Sequence, residues 1–135
     1  MQGMENALDP GTIFYIRIQF RSSDHWERKR IILVGFDADS DPIFLKIASL
    51  KPFADYHTLK VAQYPDALYY DSYVECGNIH VKICTRQDFL ANVKEFPDSV
   101  CGKLLEEDRI QIIRRVCASR TVSPIHQQLI ADNLS

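Results

Sequence analysis

Apolar side chains recur at every second residue in the first half of the chain and at helical spacing in its last third. Within Thr12-Ile13-Phe14-Tyr15-Ile16-Arg17-Ile18-Gln19-Phe20, Ile16, Ile18 and Phe20 alternate with Arg17 and Gln19. That is the period of a strand with one buried face. A polar stretch, Arg21 to Glu27, reads as a loop, and Arg30-Ile31-Ile32-Leu33-Val34 predicts a fully buried strand stopped by Gly35. Asp37-Ala38-Asp39-Ser40-Asp41-Pro42 is dense in turn formers, and Ile43 to Ala48 predicts a third strand. Connections this short cannot carry a parallel crossover, so the three strands form an antiparallel meander. No clean period holds from Lys51 to Pro65, which predicts a long excursion over one end of the sheet. Leu68 to Cys76 looks extended and Ile79 to Cys84 alternates, so a turn at Gly77-Asn78 makes the two runs a hairpin.

Helical signals follow. Thr85 to Asp88 offers an N-cap before Phe89, Leu90, Val93 and Phe96 at helical spacing, with Pro97 as the stop. Leu104 to Ser119 predicts an amphipathic helix whose first turn carries Glu106, Glu107 and Asp108, where acids suit the helix dipole. Ser123-Pro124 places an N-cap and an N1 proline ahead of a last short helix with Ile125, Leu129 and Ile130 on one side. The expected architecture is mainly β with C-terminal helices (α+β): one domain over 1–135, with a loose leader at 1–10, strands over 11–84 and helices over 85–134.

The 135 residues are 46% apolar and 25% charged with a formal charge of -2, which fits a globular domain and argues against a strongly basic nucleic-acid binder. A local basic groove stays open. No apolar stretch approaches the roughly 18 residues that span a bilayer, and MQGMENALDPG lacks a signal-peptide apolar run, so a cytoplasmic location is expected. The cysteines form no C-x-x-C pair. On one strand from Val74 to Cys84, Cys76, His80 and Cys84 share a face but lie about 13 Å apart in turn, too far to hold one ion. Four reduced thiols used as small apolar residues are the expectation, with no metal and no cofactor.

Several segments, taken in order, resemble the PemK/MazF family of growth-inhibitor toxins. Pro10-Gly11-Thr12-Ile13 is similar to its opening P-G-[DE]-[IV] strand, and Arg28-Lys29-Arg30-Ile31-Ile32-Leu33-Val34 to its K-x-R-P-[AV]-[LV]-V-[LI] strand. Leu45-Lys46-Ile47-Ala48-Ser49 resembles the strand ending I-T-S, and Leu68 to Val74 the G-L-x-x-x-S-x-V segment. Cys101 to Asp108 resembles the family's G-x-L-s-x-x-d helix start, so the likeness spans about residues 10–117. It implies a small antiparallel SH3-like β-barrel with added helices, a homodimer, an antitoxin partner, and metal-independent cleavage of single-stranded RNA, as in type II toxin–antitoxin systems.

Metal-free cleavage uses the 2′-hydroxyl as nucleophile and needs a base, a cation for the phosphorane charge and an acid for the leaving oxygen. The resemblance assigns Arg30 the charge-stabilising or acid role. The family threonine falls on Ala48, the nearest hydroxyl being Ser49, which points to the opposite strand face unless a bulge intervenes. Ile31 stands where the family has proline. His25 has the pKa of an acid or base, although an imidazole packed beside Trp26 is the plainer reading. Trp26 offers a base-stacking face; Arg28 and Lys29, like Lys46 and Lys51, offer phosphate contacts or simply a solvated rim. Two readings follow: an RNA-cleaving toxin with Arg30 and helpers Ser49 or His25, or a non-catalytic relative that binds RNA or protein, favoured by Ala48 and Ile31.

Overall fold

A computed structural model describes residues 9–18 and 27–135, the side chains of Ile18 and Glu27 excepted. The meander forms as the alternation predicts: β1 (Thr12–Ile18), β2 (Glu27–Phe36) and β3 (Pro42–Ala48) pair antiparallel. Three more strands, β4 (Tyr56–Leu59), β5 (Ser72–Glu75) and β6 (Val100–Lys103), complete a six-stranded sheet of order β4-β5-β3-β2-β1-β6. The helices are α1 (Arg86–Glu95), α2 (Glu106–Ala118) and α3 (Pro124–Leu134). Thr85 and Ser123 cap α1 and α3, accepting from the backbone N–H of Asp88 and His126 at 3.1 and 3.4 Å. Among the described residues no helix is long and apolar enough to cross a membrane.

Alternation gives the sheet two apolar faces. Ile13, Ile32, Val34, Leu45, Ile47 and Val74 join one core with Ile112 and Val116 of α2 and Ile130 and Leu134 of α3. Phe14, Ile16, Ile31, Leu33 and Phe44 form the other with Phe89 and Val93 of α1. The Phe89 ring meets Phe14 and Phe44 edge-on, with centroids 5.0 and 5.4 Å away. Each such side chain removed from water stabilises the fold by roughly 1.5–3 kcal/mol. A register shift between Leu33 and Gly35 moves Phe36 to the α1 face, against its parity with Val34. The sheet curls, a mixed α+β arrangement with half a barrel's curvature: Ala67, in the turn before β5, comes 4.0 Å from where a Cβ on Gly102 of β6 would sit.

Several expectations are corrected. Ile79 to Cys84 is not a strand; its one ladder contact is an isolated bridge between His80 and Phe44. Gly77-Asn78 is therefore not a hairpin turn. Val74 pairs with Ile47 and Tyr73 with Ala48, so continuing that register sets Phe44 opposite Gly77; the chain inserts three residues and returns at His80. The excursion serves two anchors: the Cys76 N–H donates to Asp55 O at 2.7 Å, and Lys82 turns to positive φ (56°) with its ammonium 2.6–3.0 Å from Asp37, Asp39 and Asp41. Cys76, His80 and Cys84 thus share no strand face; Cys76 sits in the α2/α3 core and Cys84 against the α1 core. The segment from Leu68 becomes strand only at Ser72, and the excursion of Lys51 to Pro65 contains strand β4. All four thiols are free, and burial pushes those of Cys76 and Cys84 up to about 12.

Candidate functional site

The β1–β2 register sets Tyr15 opposite Arg30 and Arg17 opposite Arg28. Two-residue spacing puts Arg28 and Arg30 on the α2/α3 face, beyond the end of its core, with Tyr15 across from them. There the four groups Arg28, Tyr15, Arg30 and Tyr69 form a ladder. The guanidinium carbons of Arg28 and Arg30 lie 4.0 and 4.2 Å from the Tyr15 ring centroid, and that of Arg30 lies 4.9 Å from the Tyr69 ring. Each stacked contact is worth about 0.5–2 kcal/mol depending on solvent exposure. Two hydrogen bonds fix the cations: Arg30 Nε donates to Ala67 O at 2.7 Å, and Arg28 Nη2 to Tyr15 O at 3.2 Å. A guanidinium carries five N–H donors, so each arginine keeps in-plane donors for an anion.

The ladder lines a hollow of about 210 Å³, together with Asp66, Ala67, Asp98 and Cys101. A second hollow of about 220 Å³ shares Tyr15, Arg28 and Asp98 and extends to Arg17, Asn92, Phe96 and Ser99. The groove exists because β6 pairs only with Thr12 to Phe14 of β1, so from Tyr15 onward β1 has β2 on one side and, among the described residues, no strand on the other. Each chamber alone is smaller than the roughly 300 Å³ at which small-ligand sites begin, and the two share a wall made by Tyr15, Arg28 and Asp98. Asn92 Nδ2 donates to Arg17 O at 3.3 Å, while its buried Oδ1 has no partner among the described residues. Like charges directly opposite one another, as Arg17 and Arg28 are, destabilise a sheet. Burial pushes the Cys101 thiol up, which keeps it protonated at neutral pH.

The other candidate residues fall elsewhere. Lys29 and Lys46 take the opposite parity, pairing with Ile16 and Ile31, and so stand on the α1 face. The basic run from Arg28 to Arg30 is therefore split between two faces. Ala48 pairs with Tyr73 and shares the parity of Lys46, so a hydroxyl at position 48 would not point at the Arg30 hollow. Ser49 is exposed just past β3 and does not line the hollow. Lys51 lies 5.3 Å from the Tyr56 ring centroid, and its hydrogen bond to Tyr56 raises its pKa. His25 and Trp26 lie outside the described residues.

Sequence reasoning did not single out Tyr15, Asp66, Tyr69 or Asp98 for this site. Tyr15 carried a signal, since it alternates with Ile16 and so shares a face with Arg17; the other three arrive through turns. A second polar cluster also emerges at the start of α2. Asp108 receives hydrogen bonds from both sides, from His57 Nε2 at 2.7 Å and from the Tyr64 hydroxyl, which in turn accepts from Leu105 N–H at 2.9 Å. That cluster ties β4 to α2, with the His57 and Asp108 side chains only 15% and 9% exposed, and borders neither chamber. No protein-family model matches this chain, and no curated protein matches it.

Proposed function

We propose that this protein acts on single-stranded RNA in the manner of the PemK/MazF growth-inhibitor toxins it resembles, seating a backbone phosphate against Arg28 and Arg30. The observation that supports the reading is the Arg28–Tyr15–Arg30–Tyr69 ladder, which holds two guanidiniums and two rings on one concave wall. Phosphate contacts supply affinity and stacked aromatics supply tolerance of sequence, the combination that single-strand binders use. In cleavage, the 2′-oxygen attacks the adjacent phosphorus, the 5′-oxygen leaves, and Arg30 stabilises the charge on the phosphorane oxygens. The proton leaving the 2′-hydroxyl and the one reaching the 5′-oxygen need a titrating group. His25, in the β1–β2 connection, fills that role in this proposal. The finer fold assignment, an SH3-like barrel, belongs to the same proposal, as do a cytoplasmic setting, a homodimer and an antitoxin partner.

A second reading, RNA binding without cleavage, has its own support. Among the described residues that line the two chambers there is no imidazole and no threonine, and Asp66 and Asp98 sit beside the arginines. Incubating the purified protein with mixed RNA in EDTA separates the two. Cuts that leave 2′,3′-cyclic phosphate ends support the toxin reading. Intact RNA that nonetheless binds supports the second, and RNA neither bound nor cut removes both.

A further inference from the structure

The hollow carries charges of both signs that do not cancel each other. Arg28 and Arg30 line it with Asp66 and Asp98, yet among the described residues no ion pair within 4.0 Å joins either arginine to either aspartate. Oppositely charged side chains sharing a hollow this small close on one another unless they are held apart. Both arginines are so held, stacked on Tyr15 and tied to the carbonyls of Ala67 and Tyr15. The space between the signs suits a group that offers acceptors on one edge and donors on another.

Resting on the RNA reading above, we infer that the hollow selects a guanine base next to the bound phosphate. Guanine is the base whose edges match both signs. Its O6 and N7 are paired acceptors, to which arginine binds in bidentate fashion. Its N1–H and 2-amino group are adjacent donors that one carboxylate can accept together. Uracil offers a single N–H, and adenine and cytosine lack the N–H beside the amino group that makes the carboxylate contact bidentate. One guanidinium of the ladder takes O6 and N7 while the other takes the phosphate. Tyr69, 80% exposed with Arg30 against its ring, supplies a surface for the base to stack on. The Asp98 carboxylate, on the wall shared by both chambers, or that of Asp66 beside Ala67, accepts from the base. Unbound, these carboxylates also weaken the hollow's attraction for a bare phosphate, which makes binding depend more on the base.

The test uses fluorescence anisotropy with heptamers U3-X-U3 built on a 2′-fluoro backbone, which has no nucleophilic hydroxyl to be consumed. X is guanine, hypoxanthine, adenine, cytosine or uracil. The expected order puts guanine about tenfold or more tighter than uracil, with hypoxanthine, which lacks the 2-amino group, in between. Asp66→Asn and Asp98→Asn are measured beside the wild type. At least one of them brings guanine to within twofold of uracil while uracil binding holds or tightens, because a negative charge has gone. Equal affinity for all five bases, or a guanine preference untouched by both variants, overturns the inference and leaves the RNA reading standing. No binding to any heptamer overturns both.

Discussion

Replacing Tyr64 by phenylalanine removes one oxygen from the joint between the turn before β5 and the start of α2. Tyr64 is 4% exposed, and its hydroxyl both donates to Asp108 and accepts from Leu105 N–H at 2.9 Å. The ring stays buried in Tyr64→Phe, so the apolar contribution is nearly unchanged and the polar loss dominates. A hydrogen bond to a charged group contributes about 1.5–3 kcal/mol, and a part-buried N–H left without an acceptor costs about 1–3 kcal/mol. The two overlap because they share one atom and because water can reach the rim of Asp108, so the expected loss is about 2–4 kcal/mol. For a chain of this length that lowers the melting temperature by about 8–15 °C. Urea unfolding followed by circular dichroism measures it, with Asp108→Asn and the double variant completing a cycle. A coupling of about 1 kcal/mol or more between the two positions is expected. A loss below about 0.5 kcal/mol for Tyr64→Phe, or strictly additive variants, refutes the joint as a stabilising unit. The same joint predicts an alkaline limb. Burial, and then the bond to Asp108, raise the Tyr64 pKa well above its ordinary 10.0, so the folded protein keeps a proton that the unfolded chain releases. That stabilisation is complete below pH 10 and drains as pH climbs through the folded value; Tyr64→Phe flattens this limb.

Further outcomes follow from the same physical reasoning. Gly35 has φ +156°, and a Cβ there would lie 2.5 Å from Asn133 Nδ2 and 2.8 Å from Leu129 Cδ2. Gly35→Ala therefore pushes the Asn133 and Leu129 side chains aside, disturbs the bond from Asn133 to Val34 O and strains the backbone, with an expected loss of about 1–3 kcal/mol in chemical denaturation; an unchanged midpoint contradicts it. His80 has its pKa lowered by burial and then by the charge of Lys46. The unfolded chain thus binds a proton that the folded one resists, and the neutral ring's contribution is complete above pH 6.5 and lost as pH falls through the folded value. His80→Asn should lose less stability than wild type between neutral and acid pH, and parallel curves would count against it. Tyr69→Ala takes away the outer ring of the ladder while leaving both cores intact, so RNA affinity should fall about fivefold or more at an unchanged melting temperature.

How much of this was legible in the sequence differs from segment to segment. Alternation and capping chemistry are local, so β1 to β3, the caps at Thr85 and Ser123, and all three helices could be read from neighbouring residues. Ile79 to Cys84 alternates as well as any strand in the chain, yet it meets a neighbour only at the His80–Phe44 bridge, and two residues on, the backbone turns to positive φ at Lys82, whose ammonium three aspartates hold. No local signal carries that. β4 and β6 are four residues each, too short for a period; β6 forms on the edge of the longer β1, and β4 on β5, which is itself only four residues. In the candidate site, Arg30 stood out by its place in a motif-like strand, whereas its neighbours depend on register. Tyr15 meets Arg30 through cross-strand pairing, and Tyr69 and Asp66 arrive from a turn that only the curl of the sheet brings overhead. Parity also separates Lys29 and Lys46 from Arg30, a distinction that charge counting alone obscures.

The central claim is that the Arg30 guanidinium, clamped between two tyrosine rings, is what grips RNA. Anisotropy with the guanine heptamer at fixed low salt, comparing wild type, Arg30→Lys and Arg30→Ala with matched melting temperatures, addresses it directly. A planar, stacked, multidentate cation is not replaced by an ammonium, so both variants should lose about tenfold or more in affinity, lysine recovering little over alanine. Alanine binding as tightly as wild type, or lysine restoring binding in full, would contradict the account.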